Sequence, residues 1–289
     1  MTDRHDGYFQ PDGSAWRIGR ELALMLGGGR ALLLQVAHPL VAAGVSAHSD
    51  YREGPWRRLE QTMSTVWAIV YGTRAQADSA AARVRLMHGR VRGVLPQPLG
   101  PFPAGTEYAA DDPDLLLWVH ATLVDTALLV YSSWVRPLDD LEQRSYYEEM
   151  KTMARLFGTP DEVIPSTLDD FRAYMRSQLA GEEIVVTDVA REIARHVLHP
   201  RLPPALRPAM EAASLLTVGL LPPDLRAQYG FGWGPGRSAL VAVSRAWTRR
   251  VAMPLVPDLL RAVAAARRAE GRLGVDLSRL LPADILPGR

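Results

Sequence analysis

The stretch DPDLLLWVHATLVDTALLVYSSW, residues 112–134, decides the class of fold. Asp112 followed by Pro113 is typical of a helix start, because aspartate caps free N–H groups and proline is tolerated in the first turn. A membrane span needs about 20 mostly apolar residues, and this stretch is long enough. Its centre carries His120, Asp125 and Thr126, however, and polar groups at that depth favour a helix buried inside protein. We therefore expect a core helix rather than a transmembrane segment.

The rest of the chain follows the same pattern. Apolar residues recur at helical spacing almost throughout, and no convincing alternation indicates strands. Two segments rich in glycine and proline, Pro96–Gly105 and Gly230–Gly236, are predicted as loops. The predicted helices cover residues 15–27, 29–46, 55–72, 76–95, 112–134, 139–157, 167–180, 187–198, 206–219, 223–229 and 236–266. The sequence thus predicts an all-α fold, a single globular multi-helix domain over residues 1–289, with its C-terminal third packed onto the rest.

Composition excludes several classes of protein. The 289 residues carry 33 basic and 32 acidic side chains, so a net charge of +1 provides no global field to attract nucleic acid. The absence of cysteine excludes disulfides, zinc fingers, iron–sulfur clusters, covalent haem attachment through CxxCH and a thiolate-ligated haem. The first residues, MTDRHDGYFQPDGSAW, contain no apolar secretion signal. We expect a cytoplasmic protein without a transmembrane segment.

Short motifs exclude further chemistry. Gly27-Gly28-Gly29-Arg30 is not followed by the GK[ST] of a phosphate loop, so its glycines are interpreted as sites of a helix break or close helix packing. ExxH pairs, the HExxH motif and a GxSxG elbow are all absent from the sequence. Their absence argues against a carboxylate-bridged di-iron protein, a zincin metalloprotease and a serine hydrolase.

The stretch RVRLMHGRVRG, residues 83–93, places one histidine among four arginines on a predicted helix. At about 100° per residue, Arg85 and Arg92 share a face with His88, while Arg83 and Arg90 point away. Nearby positive charge disfavours the protonated imidazole, and neutral imidazole is the form that ligates metals. Haem would supply iron for the nitrogen and propionates for the two arginines. Alternatively, acidic side chains pair the arginines and His88 merely packs; the spacing leaves both interpretations open.

A second candidate pair lies upstream, where Arg58 and Thr62 are one helical turn apart. A guanidinium and a hydroxyl on one face are suited to holding a propionate or an oxygen-derived ligand. The alternative is an ordinary charged helix whose threonine bonds its own backbone.

The remaining candidate histidines have weaker assignments. His120 is expected to pack or to line a pocket, and it would be the second ligand if the protein were bis-histidine. His38, followed by Pro39, is expected at a helix break, where a ring nitrogen can satisfy a freed backbone group. His48 could supply a polar lid or a proton donor.

Taken together, several segments resemble one family, the haem-dependent oxygenases that include the rubber-cleaving latex-clearing proteins and the fungal oxygenase MpaB. The resemblance covers residues 20–235, leaving residues 236–289 as a C-terminal helical extension. The short segments agree with those of the family, and their order and approximate spacing along the chain agree too. The matching segments are QVAHPLVAAGVSAHSDYREGPWRRLEQT (35–62), VWAIVYGT (66–73), RVRLMHGRVRG (83–93), YAADDPDLLLWVHATLVDT (108–126) and YYEEMKTMARLFGTP (146–160).

The resemblance implies an all-α domain around a b-type haem that is bound without covalent attachment. By position, His88 looks like the proximal iron ligand, Arg85 and Arg92 like the arginines that accompany it, and Arg58 and Thr62 like the pair near the haem pocket. The family's chemistry is oxidative cleavage of isoprenoid double bonds with dioxygen. Members that cut rubber tend to carry lysine just before the threonine, where this chain has Gln61. At this position the chain departs from the pattern of the rubber-cleaving members, whereas the residues that imply haem binding are unaffected.

The expected function is therefore that of a haem-dependent, dioxygenase-like oxidoreductase acting on O2 and a small apolar substrate, isoprenoid or otherwise unsaturated. Arg58 and Thr62 are the expected catalytic residues, and Trp67 and Tyr71 are expected to help line the pocket. No nucleic-acid partner is expected, and the sequence names no electron donor. The alternatives are a non-catalytic haem or gas-binding sensor or carrier and a helical protein that binds a ligand without haem.

Overall fold

The fold is described from a computed structural model that covers residues 6–49, 55–200 and 203–274. It is mostly helical, as the sequence predicts. Short 3₁₀ segments occupy Leu22–Gly27 and Pro204–Leu206, and π-helical turns occupy Tyr131–Val135 and Thr248–Ala252. Two short strands are β1 (Arg92–Val94) and β2 (Glu107–Ala109). The α-helices are α1 (Ser14–Gly19), α2 (Gly28–Val36), α3 (Pro39–His48), α4 (Pro55–Tyr71), α5 (Arg74–His88), α6 (Pro113–Val130), α7 (Asp140–Phe157), α8 (Leu168–Ala180), α9 (Asp188–Leu198), α10 (Arg207–Leu220), α11 (Pro223–Gln228), α12 (Pro235–Trp247), α13 (Met253–Leu255), α14 (Asp258–Arg261) and α15 (Ala264–Leu273).

Helix α6 lies in the core and packs against α2 and α7. Its start is the one the sequence predicts, because the Asp112 carboxylate accepts from the N–H groups of Asp114 and Leu115 at 2.9 and 3.2 Å. Within the described residues, Pro113–Val135 is the single unbroken helical stretch long and apolar enough to span a bilayer, yet 61% of its most apolar window is buried inside the protein. The packing of α6 inside the protein confirms the prediction of a core helix.

The predicted helix over residues 29–46 is two helices. Leu22–Val36 and Pro39–His48 are bent by 106° relative to each other, and together they also pass the length and apolarity test for a bent span. His38 caps the second helix, because its Nδ1 accepts from the N–H of Leu40 at 3.3 Å. The break is therefore stabilised by the ring nitrogen, as the His38-Pro39 pair predicts.

The triple glycine upstream allows close helix packing. A Cβ atom on Gly27 would meet Thr126 and Val130 of α6, and one on Gly29 would collide with the Thr217 hydroxyl of α10. The interpretation as close-packing positions is confirmed for Gly27 and Gly29, whereas a Cβ atom on Gly28 would meet nothing within 4 Å.

The prediction of a helix over residues 76–95 is wrong at its C-terminal end. Helix α5 ends at His88, and the chain turns so that the N–H of Val91 donates to the His88 carbonyl at 2.9 Å. Residues 92–94 then form β1, which pairs antiparallel with β2 across the predicted loop at residues 96–105. Neither strand has enough residues to show alternation between apolar and polar side chains. Each strand pairs with the other across the loop, so neither is indicated by its own segment alone.

The last predicted helix, residues 236–266, is also divided. Helix α12 continues through a π turn into α13, after which Pro257 precedes the short α14 and then α15. This C-terminal segment packs back on the N-terminal helix α1, where the N–H of Val263 donates to the Arg20 carbonyl at 2.8 Å. Ion pairs between Arg20 and Glu270 and between Glu21 and Arg261 fasten the two ends of the domain.

Candidate functional site

His88 stands at the C-terminal end of α5. A capping box from Thr73 and Gln76 begins this helix, and the alanines Ala77, Ala80 and Ala81 are buried along it. The Nδ1 atom of His88 is buried and has no hydrogen-bond partner in the part of the chain that the structure describes. Burial lowers the pKa of His88, while the Asp111 carboxylate acts in the opposite direction. The ring is therefore neutral near neutral pH and retains a nitrogen lone pair for a ligand.

Arg85 lies one turn before His88 and contacts the end of α7. Its Nη1 donates to the Leu156 carbonyl, and its aliphatic carbons approach Gly158, whose left-handed φ of 97° ends that helix. The guanidinium thus satisfies a free carbonyl at a helix C-terminus. The rest of the side chain is exposed, which leaves donors open to solvent.

Arg92 is not on the same helical face as His88, contrary to the geometric argument from spacing. It belongs to β1, where its Nε donates to the Gly89 carbonyl at 3.0 Å and its Nη2 to Asp111 at 2.6 Å. The alternative in which an acidic side chain pairs an arginine therefore holds for Arg92. The ion pair is exposed, with 62% of the Arg92 side chain accessible.

The opposite face of α5 forms an apolar cleft of about 320 Å³. The sequence indicates that Arg83 and Arg90 point away from His88, and both arginines line this cleft. Leu86 and Met87 are 61% and 55% exposed, which is unusual for side chains of this size on a helix that also carries arginines. The cleft is lined by His48, Arg83, Leu86, Met87, Arg90 and Val91. An apolar group bordered by anions would suit its lining.

Arg58 and Thr62 belong to α4, which packs along α5 after a short Gly72–Thr73 connection. In such a helical hairpin, residues at equal distances from the turn lie side by side, so the start of α4 and the end of α5 share one end of the pair. Thr62 is exposed on α4. The side chain of Arg58 lies outside the residues whose side chains the structure describes.

Trp67 and Tyr71 do lie together, but away from His88. They line a groove of about 520 Å³ between α4, α5 and α15, and His88 is not among its lining residues. The Tyr71 ring meets Trp16 edge-on at 4.8 Å, and burial raises the pKa of its hydroxyl. That hydroxyl has no hydrogen-bond partner among the described residues.

His120 is a buried polar group whose importance the sequence pattern did not reveal. It lies on α6, and neither ring nitrogen has a hydrogen-bond partner within the described residues. Burial lowers the pKa of His120 to about 4. Two unpaired nitrogens in a core helix are costly and call for a partner that the described residues do not supply. The available signal was its position as a lone imidazole within LLLWVHATLV.

The other two candidate histidines, His38 and His48, have protein partners. Besides capping α3, His38 stacks on Phe102 with ring centroids 5.6 Å apart, and burial lowers the pKa of His38 to about 4. His48 meets Tyr108 edge-on at 6.3 Å and lines the apolar cleft.

The described residues offer one imidazole to a cofactor, although His88 lines neither the cleft nor the groove described above. Among the described residues, no three His, Cys, Asp or Glu side chains cluster as they would around a metal held by protein alone. The Nδ1 of His88 is a buried polar atom to which no described residue offers a hydrogen bond. Exposed guanidiniums on both sides of it could pair carboxylates. These are features that a haem would use.

Comparison with known proteins gives a family for most of the chain. A family model described as ER-bound oxygenase mpaB/B'/Rubber oxygenase, catalytic domain, matches residues 16–251, which confirms the resemblance seen in the sequence. Two curated relatives are 26% identical over 158 residues, the "Uncharacterized protein Mb2261" of Mycobacterium bovis and the "Uncharacterized protein Rv2237" of Mycobacterium tuberculosis. That match covers 53% of this chain and 59% of each relative, so the chain spans less than two thirds of their length. No solved structure matches significantly.

Proposed function

The chain belongs to the family of the mpaB and rubber oxygenase catalytic domains, and we propose that it is a b-type haem-dependent oxygenase. In this proposal the enzyme uses O2 to oxidise or cleave an apolar substrate that is isoprenoid or otherwise unsaturated. The observation that carries the proposal is the neutral His88 ring, whose buried Nδ1 has no partner among the described residues. His88 is also the position that the family resemblance assigns to the iron ligand.

His88 would hold the cofactor through one ring nitrogen. Bound haem supplies an iron centre at which dioxygen is activated. Burial keeps the imidazole unprotonated, so its lone pair is available across the neutral pH range. The ligand's orientation depends on a hydrogen bond to its second nitrogen, which in haem and metal sites commonly goes to a carboxylate, a carbonyl or water.

Arg85 and Arg92 would pair the carboxylates at the cofactor rim. Arg92 must then exchange its Asp111 partner, and an exposed ion pair of this kind contributes only about 0–1 kcal/mol. Arg85 can keep its contact with the Leu156 carbonyl and still offer other N–H groups, because a guanidinium has five donors.

Arg58 and Thr62 are proposed to stabilise negative charge that develops during oxygen chemistry. Fixed donors are most effective when water is excluded. Thr62 is exposed in the structure, so a bound apolar substrate would have to exclude water from it. Because the chain has no cysteine, the thiolate push that favours O–O cleavage is absent. Addition of both oxygen atoms across a double bond is the reaction class that we propose.

The test is an absorption spectrum of protein expressed with iron and a haem precursor. We expect a Soret band in the wild type, its loss in His88→Ala and its partial return when imidazole is added to that variant. His48→Ala serves as the control, because His48 lines the cleft but is not assigned as a ligand. A colourless wild type, or a band that survives in His88→Ala and disappears in His120→Ala, would refute the assignment.

A haem or gas carrier without turnover is the second candidate, and the unpaired nitrogens of His120 favour it. If His88 and His120 both ligated iron, the wild-type spectrum would be six-coordinate and insensitive to oxygen. The His120→Ala variant would then become five-coordinate. A five-coordinate wild type that oxidises unsaturated lipids, detected by mass spectrometry of the products, supports the oxygenase instead.

A further inference from the structure

A row of large apolar side chains is exposed along α12 and the helical turns that follow it. Leu240, Val243, Trp247, Val251 and Leu255 are 59%, 65%, 57%, 40% and 75% exposed. They recur every three or four residues, so they share one side of the helix. We call this row the α12 face.

The rest of α12 explains why the α12 face remains outside. Val241, on another side of the helix, is buried at 5% exposure and packs in a small cluster with Trp134 and Leu220. The Arg245 guanidinium stacks over the Trp134 ring at 5.2 Å. The helix is therefore already anchored to the domain, and the α12 face is an additional apolar surface.

The chain segment that carries the α12 face has charges of one sign. Residues 225–257 contain no aspartate or glutamate, but they contain several arginines: Arg226, Arg237, Arg245, Arg249 and Arg250. Arg250 is exposed one turn from Trp247. Apolar side chains with a tryptophan, bordered by arginines and free of acidic residues, are the composition of helices that lie in the interface of a membrane.

We propose that the α12 face binds the surface of a bilayer that contains anionic lipid. Leu240, Val243 and Trp247 would enter the boundary between headgroups and acyl chains, while the exposed Arg237 and Arg250 pair lipid phosphates. A second copy of the chain fits less well, because a two-fold contact between identical faces brings the same arginines together without acidic partners. The proposal does not depend on haem or on oxygenase activity.

The test is co-sedimentation of the full chain with vesicles of phosphatidylglycerol and phosphatidylcholine in equal parts, compared with vesicles of phosphatidylcholine alone. We expect binding to the anionic vesicles and its loss at high salt, because lipid phosphates attract arginines through a field that salt screens. The double variant Leu240→Glu/Trp247→Glu should lower the partition coefficient roughly tenfold or more, since it removes apolar area and adds repulsion.

The matched control is Leu141→Glu/Leu206→Glu, which places the same charges at two other exposed leucines, 77% and 53% accessible. This variant should bind within about twofold of the wild type, because only distant electrostatics change. Circular dichroism and the unfolding temperature establish that both variants are folded. The proposal would be overturned if the α12-face variant bound the vesicles as well as the wild type does, or if the control variant lost as much binding as the α12-face variant. It would also be overturned if the wild type did not bind vesicles and instead formed a dimer that Leu240→Glu/Trp247→Glu dissociates.

Discussion

Arg20 joins the two ends of the domain, and replacing it by methionine should lower stability substantially. Its Nη1 and Nη2 donate to Asp258 at 2.7 and 2.8 Å, and its Nε and Nη2 donate to Glu270 at 2.9 and 3.1 Å. The Arg20 side chain is 5% exposed and that of Glu270 is 10% exposed. Burial alone lowers the pKa of Arg20, but the hydrogen bonds that its guanidinium donates to both carboxylates raise the pKa above its ordinary value.

The magnitude follows from what Arg20→Met leaves behind. Glu270 would keep the Trp16 indole N–H at 3.2 Å but would lose its cation, so a buried carboxylate would be uncompensated. Breaking a buried ion pair from one side costs about 3–5 kcal/mol, mainly through that charge. We expect the free energy of unfolding in urea to fall by this amount, followed by far-UV circular dichroism.

Arg144→Met is the matched control. Arg144 also pairs with two carboxylates, those of Asp140 and Asp169 at 2.7 and 2.9 Å, but its side chain is 43% exposed. Exposed pairs contribute about 0–1 kcal/mol, so this variant should lose little. Similar losses in the two variants, or a loss below about 1 kcal/mol in Arg20→Met, would refute the argument that burial decides the difference.

Two further predictions concern backbone packing and pH. Gly29→Ala should cost about 1–3 kcal/mol in urea unfolding because its Cβ would collide with Thr217, whereas Gly28→Ala, which meets nothing, should be neutral or stabilising; equal effects would contradict the packing argument. The Arg136 hydrogen bonds, at 2.9 and 2.5 Å, lower the pKa of Glu142, so this pair contributes stability above the unfolded pKa of about 4.3 and loses it as pH falls through the lower folded pKa. The difference in unfolding free energy between the wild type and Arg136→Met should therefore shrink in acid, and a difference that grows there would contradict the assignment.

Local chemistry made much of the fold predictable. The helix start at Asp112-Pro113, the break at His38-Pro39 and the close approach at the triple glycine each depend on residues near one another in sequence. The family was also visible in the order and spacing of short segments, and the matched residues 16–251 agree with it.

The candidate site was predictable only in part. His88 was identifiable because it stands alone among arginines, and its buried Nδ1 without a partner among the described residues agrees with a ligand. The position of Arg92 was not predictable, because helical spacing assumes that the helix continues past Gly89. Trp67 and Tyr71 line one groove as a pair, but they lie near the turn between α4 and α5, whereas His88 is at the other end of α5. The α15 residues that complete this groove come from a distant part of the chain.

The sequence by itself determined the all-helical class, the central helix α6 and the family, because periodicity, caps and motif order are local properties. Tertiary structure decided where α5 ends, which carboxylate Arg92 meets and which apolar side chains of α12 remain exposed. Each of these depends on contacts between segments distant in the chain, such as β1 with β2, and the free energy of such a contact is not contained in either segment alone.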